Sequence, residues 1–98
     1  MKRVSALITG GSKGIGLAIA RCFAPVLSDL HLVARGMDEL EMVRDELNRP
    51  GLNIHLHASD LTSELETQAL AAAVKAATPQ LDLLVSNAGV YLPGTLLG

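Results

Sequence analysis

The sequence predicts an α/β domain built on a doubly wound parallel sheet, with helices on both of its faces. Short apolar runs of strand length alternate with stretches whose apolar residues recur every three or four positions. The connections between these segments are short, and glycine or proline marks several of them. The resulting order, β-α-β-α-β-α-β, is typical of a three-layer fold in which crossover helices cover a parallel sheet.

The first strand and the first helix flank a glycine-rich turn. Residues 4–8 form a short apolar run that suits a strand buried on both faces. After the turn, apolar positions at i, i+4, i+7 and i+8 predict one stripe of an amphipathic helix, which Pro25 ends. On this stripe we interpret Cys22 as a small buried hydrophobic residue. The positions of the stripe are Ile15, Ile19, Cys22 and Phe23.

The second strand and the second helix follow directly. Residues 30–34 are another apolar run, in which we expect His31 to be packed or hydrogen-bonded rather than catalytic. In the next stretch charged residues separate apolar ones at helical spacing, until proline and glycine in residues 48–51 end the pattern. This pattern predicts a helix whose apolar positions are Met37, Leu40, Val43 and Leu47.

The third strand has one partly polar face. Apolar and polar residues alternate through residues 52–58, which favours a position at the edge of the sheet. His55 and His57 lie two residues apart on the polar face and could in principle share a metal ion. A metal site needs more ligands, and no third ligand is apparent nearby, so we interpret both as partly exposed strand histidines. No metal site is predicted.

The third helix and the fourth strand complete the pattern. Ser63 and Glu66 have the spacing of a capping box at a helix start, and Pro79 lies near the helix end. Residues 81–86 are almost continuously apolar, which predicts a strand with neighbours on both sides. The predicted apolar stripe of the helix is Leu70, Ala73, Val74 and Ala77.

The four predicted strands resemble the first half of a doubly wound, Rossmann-like nucleotide-binding fold. In that fold the strand order 3-2-1-4 leaves a crevice beside the first strand. The chain ends twelve residues after Ser86, before another parallel strand could follow. We therefore expect residues 1–98 to be one truncated domain.

The glycine-rich turn can hold an anion. Gly10, Gly14 and Gly16 lie between a strand and a helix, where backbone N–H groups and the positive end of the helix can bind a pyrophosphate. The spacing G-x-x-x-G-x-G differs from G-x-G-x-x-G, and it is not a P-loop because Lys13 precedes Gly14. The alternative is a turn that only lets the helix pack on the sheet.

Three features together resemble the short-chain dehydrogenase/reductase family. TGGSKGIG, residues 9–16, is similar to its T-G-x-x-x-G-x-G cofactor motif, and residues 87–89 match its N-A-G motif. Asp60 stands just beyond the third strand, where family members bond the adenine ring. The resemblance covers nearly the whole chain but only the cofactor half of the family's fold. The implied cofactor-binding residues are Gly10, Ser12, Lys13, Gly14, Ile15, Gly16, Arg35, Asp60, Leu61, Asn87, Ala88 and Gly89.

The residues after the second strand favour NADP(H) over NADH. A carboxylate at this place would bond the ribose 2′-OH of NAD, but Arg35 stands there and the first acid is Asp38. Arg35 can pair with the 2′-phosphate of NADP through two hydrogen bonds, and Lys13 offers a second cation. The alternative is that both are solvated surface cations.

The resemblance implies hydride transfer between nicotinamide and a carbonyl or alcohol carbon of a small substrate. The family uses a serine, a tyrosine and a lysine four residues after the tyrosine. Tyr91 is the only tyrosine and has Thr95 at that offset, so no catalytic residue is assigned within the chain. We expect the catalytic residues to follow Gly98 in a longer, homo-oligomeric enzyme. The alternative is a non-catalytic NADP-binding or assembly module.

Composition limits the partners and the location of the chain. Hydrophobic residues make up 49% and charged residues 18%, as in a packed globular domain. The formal net charge of −2 disfavours binding to nucleic acid through an overall positive field. The single cysteine excludes an internal disulfide and suits the cytoplasm. No apolar segment approaches the roughly 20 residues needed to span a membrane.

Overall fold

The computed structural model describes residues 4–10, 14–86 and 89–91, with the side chains of residues 15 and 89–91 excluded. Five strands and three α-helices alternate along this part of the chain. A short 3-10 helix, Ala24–Val26, follows the first α-helix. In chain order the elements are β1 (Ser5–Thr9), α1 (Gly14–Phe23), β2 (Asp29–Ala34), α2 (Met37–Leu47), β3 (Asn53–Ala58), α3 (Glu64–Ala77), β4 (Leu83–Ser86) and β5 (Gly89–Tyr91).

The strands form one sheet in the order β3-β2-β1-β4-β5. The first four are parallel, which confirms the predicted order 3-2-1-4 and the edge position of β3. β4 has neighbours on both sides, as its apolar sequence indicated. Its second neighbour is β5, which runs antiparallel and pairs Gly89 with Ser86. This fifth strand was not predicted, because residues 87–89 were interpreted only as a motif.

The helices lie on both faces of the sheet, which confirms the three-layer architecture. Along β2, Leu30 and Leu32 pack in the larger core with residues of α1 and α2. Val33 points to the other face and packs with Leu70 and Val74 of α3. This alternation follows from the two-residue period of strand side chains. Both faces of β2 are therefore buried.

The buried face of α1 matches the predicted stripe only in part, since Ile19 packs against the core but Cys22 and Phe23 do not. Cys22 is exposed and Phe23 is 43% exposed, so the expectation that Cys22 is buried is wrong. Ala20 is fully buried instead, with Leu17 partly buried beside it. At about 100° per residue, Cys22 lies about 200° around the helix from Ala20 and thus on the opposite side. The short side chain of Ala20 decides which face meets the sheet.

The second helix follows its predicted stripe closely. Leu40, Val43 and Leu47 are buried, while Met37 at the start of the helix is 41% exposed. The helix ends at Leu47, where the predicted stop signal begins. The spacing of its apolar residues by three or four positions therefore identified the buried face, except in the first turn.

The third helix follows its predicted stripe only in part. Leu70 and Val74 are buried, but Ala73 and Ala77 are exposed. Thr78, directly after the helix, is buried at 7% exposure. The helix therefore packs a narrow face, and the prediction for the two alanines is wrong. Alanine gains little from burial, so its position in the pattern carried weak information.

The start of α3 forms one of the two hydrogen bonds of the predicted capping box. The Ser63 side chain accepts a hydrogen bond from the Glu66 backbone N–H at 3.3 Å. The Glu66 carboxylate turns to another partner and accepts from the Asp60 N–H at 3.0 Å. Glu66 therefore joins the helix to the loop before it. No helix within the described ranges is long and apolar enough to cross a membrane.

Candidate cofactor-binding site

An open cavity of about 430 Å³ lies at the carboxyl ends of β1, β2 and β3. The carboxyl ends of parallel strands meet at one edge of a sheet, where open α/β folds bind their ligands. Gly10 after β1, Arg35 after β2 and Asp60 after β3 all line the cavity. Three residues that the sequence placed on separate segments are therefore brought to one cavity.

The turn after β1 has two glycines in the left-handed region. Gly10 has φ of 70° and Gly14 has φ of 57°. The Gly10 N–H donates to the Val33 carbonyl at 2.8 Å, which fixes the turn against β2. A Cβ on Gly14 would meet nothing within 4 Å, so conformation rather than space favours glycine there.

Helix α1 begins at Gly14, directly after this turn. The first N–H groups of a helix have no partner within it and carry a partial positive charge. The first turn of α1 contains no acidic residue that would oppose an anion. Gly16 lies within the first turn of α1, and Ile15 is described by its backbone only. The beginning of α1 can therefore receive a phosphate group.

Arg35 and Asp60 face each other across the cavity. The Arg35 Nη2 lies 3.6 Å from the Asp60 Oδ1, and the two side chains are 76% and 43% exposed. The pairing follows from the parallel register, in which Ala34 lies beside Ala58. An ion pair this exposed contributes little stability, so an incoming phosphate can compete for Arg35.

Thr62 holds the carboxylate of Asp60. The Asp60 Oδ1 accepts from the Thr62 N–H at 3.0 Å and from the Thr62 hydroxyl at 2.7 Å. The hydroxyl, the backbone N–H and then the Arg35 charge lower the pKa of Asp60 below its usual 3.8. Asp60 is therefore a fixed anion at neutral pH.

Sequence reasoning missed Thr62, Glu66 and Glu39 at this site. The D-x-T spacing of residues 60–62 could have indicated a turn closed by the aspartate side chain. Glu66 was assigned only as a cap. Glu39, in the first turn of α2, lines the same cavity as Arg35. The sequence analysis noted the first acid at Asp38 but gave neither acid a role.

Several predicted site residues fall outside this geometry. Ser12, Lys13, Asn87 and Ala88 lie outside the described residues. Gly89 is the first residue of β5 and is described by its backbone only. Leu61 lines the cavity and is 42% exposed. Within the described residues, no group of three or more His, Cys, Asp or Glu side chains is placed to hold a metal ion.

Comparison with known proteins finds similarity along nearly the whole chain. A sequence model of the short chain dehydrogenase family matches residues 4–97. An oxidoreductase of Mycobacterium tuberculosis is 38% identical over 92 residues, which are 94% of this chain and 35% of that protein. Human carbonyl reductase [NADPH] 1 is 37% identical over 86 residues, covering 87% of this chain and 31% of its own length.

Solved structures share the fold. L-sorbose reductase from Gluconobacter frateurii, crystallised with NADPH and L-sorbose, has a TM-score of 0.79 and 36% identity. The match covers 91% of this chain and 34% of the reductase. The chain thus spans about a third of the length of each of these three proteins.

Proposed function

The chain belongs to the short-chain dehydrogenase family, and from this premise we propose that it is the dinucleotide-binding portion of an NADP(H)-dependent oxidoreductase. The observation that carries the proposal is that Arg35 lines the same cavity as Gly10 of the glycine-rich turn. The longer enzyme would transfer a hydride between nicotinamide and a carbonyl or alcohol carbon of a small molecule. The matched carbonyl and L-sorbose reductases support this substrate class.

The Arg35 guanidinium in the cavity supports the proposed preference for NADP(H). The 2′-phosphate of NADP(H) distinguishes it from NADH, and a guanidinium can bond two phosphate oxygens at once. Arg35 is 76% exposed, and its ion-pair partner among the described residues is an exposed carboxylate at 3.6 Å, so it can turn toward a phosphate. We assign Lys13 and Ser12 to the same phosphate, as the resemblance implies.

The other assigned residues would hold the adenosine and pyrophosphate parts. The N–H groups at the start of α1 fit the pyrophosphate, and the left-handed Gly10 and Gly14 keep side chains away from it. Asp60 and Leu61 fit the adenine ring, and residues 87–89 the adjoining ribose. When bound, the nicotinamide supplies or accepts the hydride. No residue of this chain is assigned the proton transfer.

Binding of NADPH and NADH by calorimetry tests the role of Arg35. Arg35→Asp should weaken NADPH at least about tenfold, because one phosphate contact is lost and a repulsion is added. The affinity for NADH should stay the same or increase in this variant. Arg49→Asp is the matched control. This substitution makes the same charge change in the exposed turn after α2, outside the cavity lining. Unchanged NADPH affinity in Arg35→Asp would sink the proposal.

A further inference from the structure

All three histidines of the chain face the α3 side of the sheet edge. His31 lies in β2 directly beside His55 of β3, and His57 lies beside Val33. Val33 packs against α3, and strand side chains repeat every two residues, so the histidines share that face. His31 is fully buried. None of the three histidines lines the candidate cofactor cavity, although Val33, the strand neighbour of His57, does.

The rings form a stack joined by hydrogen bonds. The His31 ring lies 4.3 Å from the His55 ring and 5.2 Å from the His57 ring, between centroids and nearly parallel. The His31 Nδ1 is 2.9 Å from the His57 Nε2. The His31 Nε2 is 2.7 Å from the hydroxyl of Thr78, the residue that caps the end of α3. His31 therefore joins β2, β3 and α3 through both ring nitrogens.

The bond between His31 and His57 limits how many protons the cluster can hold. One of the two facing nitrogens must carry a proton and the other must accept it. A first added proton can be accommodated, since one ring may be charged and donate to the neutral other. With a second, both nitrogens carry hydrogens at 2.9 Å, and the bond becomes a repulsion between two cations.

The groups around His31 do not compensate such charges. β1 places Leu7 beside it, and α3 contributes Val74 and Thr78 to this face, none of which titrates. Glu66, at the start of α3, lines a pocket with His57, and its carboxylate accepts from the Asp60 N–H at 3.0 Å. The nearest described carboxylate is Asp29, whose Oδ1 lies 3.6 Å from the His55 Nε2. That His55 nitrogen is buried without a hydrogen-bond partner. Asp29 can therefore offset a charge on His55 better than one on the His31–His57 pair.

Burial lowers the pKa of His31 from 6.5 to about 4, with smaller contributions from His55 and His57 that Asp29 opposes. Burial, and then His55, also lower the pKa of His57. In the unfolded chain the histidines titrate near 6.5, so it binds more protons than the folded chain between pH 6.5 and about 4. Stability therefore falls as the pH falls through this window.

We propose that His31, His55 and His57 form an acid-sensitive latch, which holds the C-terminal end of α3 on the β2–β3 edge and opens when the His31–His57 pair takes up a second proton. Opening separates His31 from His57 and releases Thr78, while the larger core on the opposite face stays packed. This inference does not depend on the proposed function.

Proton uptake by the full chain can be followed directly by NMR, because the chain has only these three histidine rings. We expect His31 to remain neutral well below pH 6.5 and the unfolding equilibrium constant to rise about tenfold or more from pH 7.5 to 5. Three independent titrations near pH 6.5 would overturn the proposal. A chain that fails to fold gives that same result and counts against it.

Hydrogen exchange separates a local latch from general acid unfolding. The Thr78 N–H donates to Val74 at the end of α3 at 2.7 Å, and the Asn48 N–H donates to Arg44 at the end of α2 at 2.8 Å. On lowering the pH from 7.5 to 5, the protection factor of Thr78 should fall at least about tenfold more than that of Asn48, as local opening requires. Equal loss at both helix ends would overturn the latch.

A variant tests the repulsion itself. Gln at position 57 can bond His31 but cannot become charged, so His57→Gln should reduce the pH dependence of Thr78 protection to less than half. His55→Gln is the control, because His55 stacks on His31 without sharing its N–H···N bond. An unchanged pH dependence in His57→Gln, or an equal reduction in both variants, would contradict the assigned pair.

Discussion

Arg35 shares its cavity with two acidic residues, Asp60 and Glu39. Asp60 is fixed by Thr62 and lies 3.6 Å from Arg35. Glu39 lines the same cavity from the first turn of α2. A negative charge in the cavity opposes a 2′-phosphate through space, whatever else the carboxylate contacts. The proposed preference for NADP(H) therefore depends on how far the charge of Arg35 outweighs that of Glu39.

Removing the charge of Glu39 should strengthen NADPH binding. We expect Glu39→Gln to tighten NADPH by about two- to fivefold at low salt, since an exposed charge acts with at most about 1 kcal/mol and is screened. NADH, which lacks the 2′-phosphate, should gain less. Asp38→Asn removes the same charge from the same helix turn outside the cavity lining. Equal gains in both variants would show that only net charge matters.

The conformation of Gly14 makes a separate prediction about stability. Its φ of 57° strains any residue with a Cβ, although open space surrounds the position. Gly14→Ala should destabilise the fold by about 1 kcal/mol. Gly36→Ala is the control, because Gly36 has φ of −103° and its Cβ would make only ordinary contact, 3.9 Å from Glu39. Denaturant unfolding measures both, and equal losses would contradict the conformational cause.

At the scale of elements, β1 and the segment before β4 are joined by polar bonds at the amino end of the sheet. The Asp82 carboxylate accepts from the Ser5 N–H at 2.9 Å. The Ser5 hydroxyl donates to the Gln80 carbonyl at 2.6 Å and accepts from the Asp82 N–H at 3.2 Å. Ser5 is 4% exposed, so water replaces these bonds poorly. This connection sets where β4 begins.

Loss of the Ser5 hydroxyl should weaken that connection. Ser5→Ala removes the donor to the Gln80 carbonyl, while the Asp82 N–H keeps its bond to the Ser5 backbone carbonyl at 3.1 Å. We expect a loss of about 1–3 kcal/mol in the free energy of unfolding. Ser28→Ala serves as a comparison, because the Ser28 backbone N–H, which donates to Val4 at 2.7 Å, is retained. Similar small losses in both variants would argue against a specific role for the Ser5 hydroxyl.

The sequence predicted the elements well where large apolar residues mark the buried face. In α2, the positions of Leu40, Val43 and Leu47 identified that face. In α1 the deciding residue is Ala20, whose small side chain gives a weak pattern, and Cys22 was misassigned. Strand β5 was missed because its three residues pair antiparallel through a hairpin rather than by the repeating crossover. Local periodicity does not encode such pairing.

For the whole molecule, the parallel order of strands explains why part of the site was predictable. Crossover connections are right-handed and the strands are parallel, so the segments after β1, β2 and β3 must meet at one edge. Gly10, Arg35 and Asp60 could therefore be assigned to one site from the sequence. Bonds such as Thr62 to Asp60 depend on the path of a loop, which motif spacing leaves open.

The cavity and the assigned roles predict binding without reaction in this chain. NADPH at about 100 times its dissociation constant should stabilise the fold by about 2.7 kcal/mol if it binds only the folded state. The residues around the cavity are proposed to bind the adenosine end, and none is assigned to protonate a carbonyl, so NADPH should not be consumed. Thermal unfolding with NADPH and NADH measures the first effect. Absorbance of NADPH with a small ketone measures the second. Consumption of NADPH that requires the ketone would show that this chain does contain a proton donor. Equal shifts of the unfolding temperature with NADPH and NADH would contradict the role of Arg35.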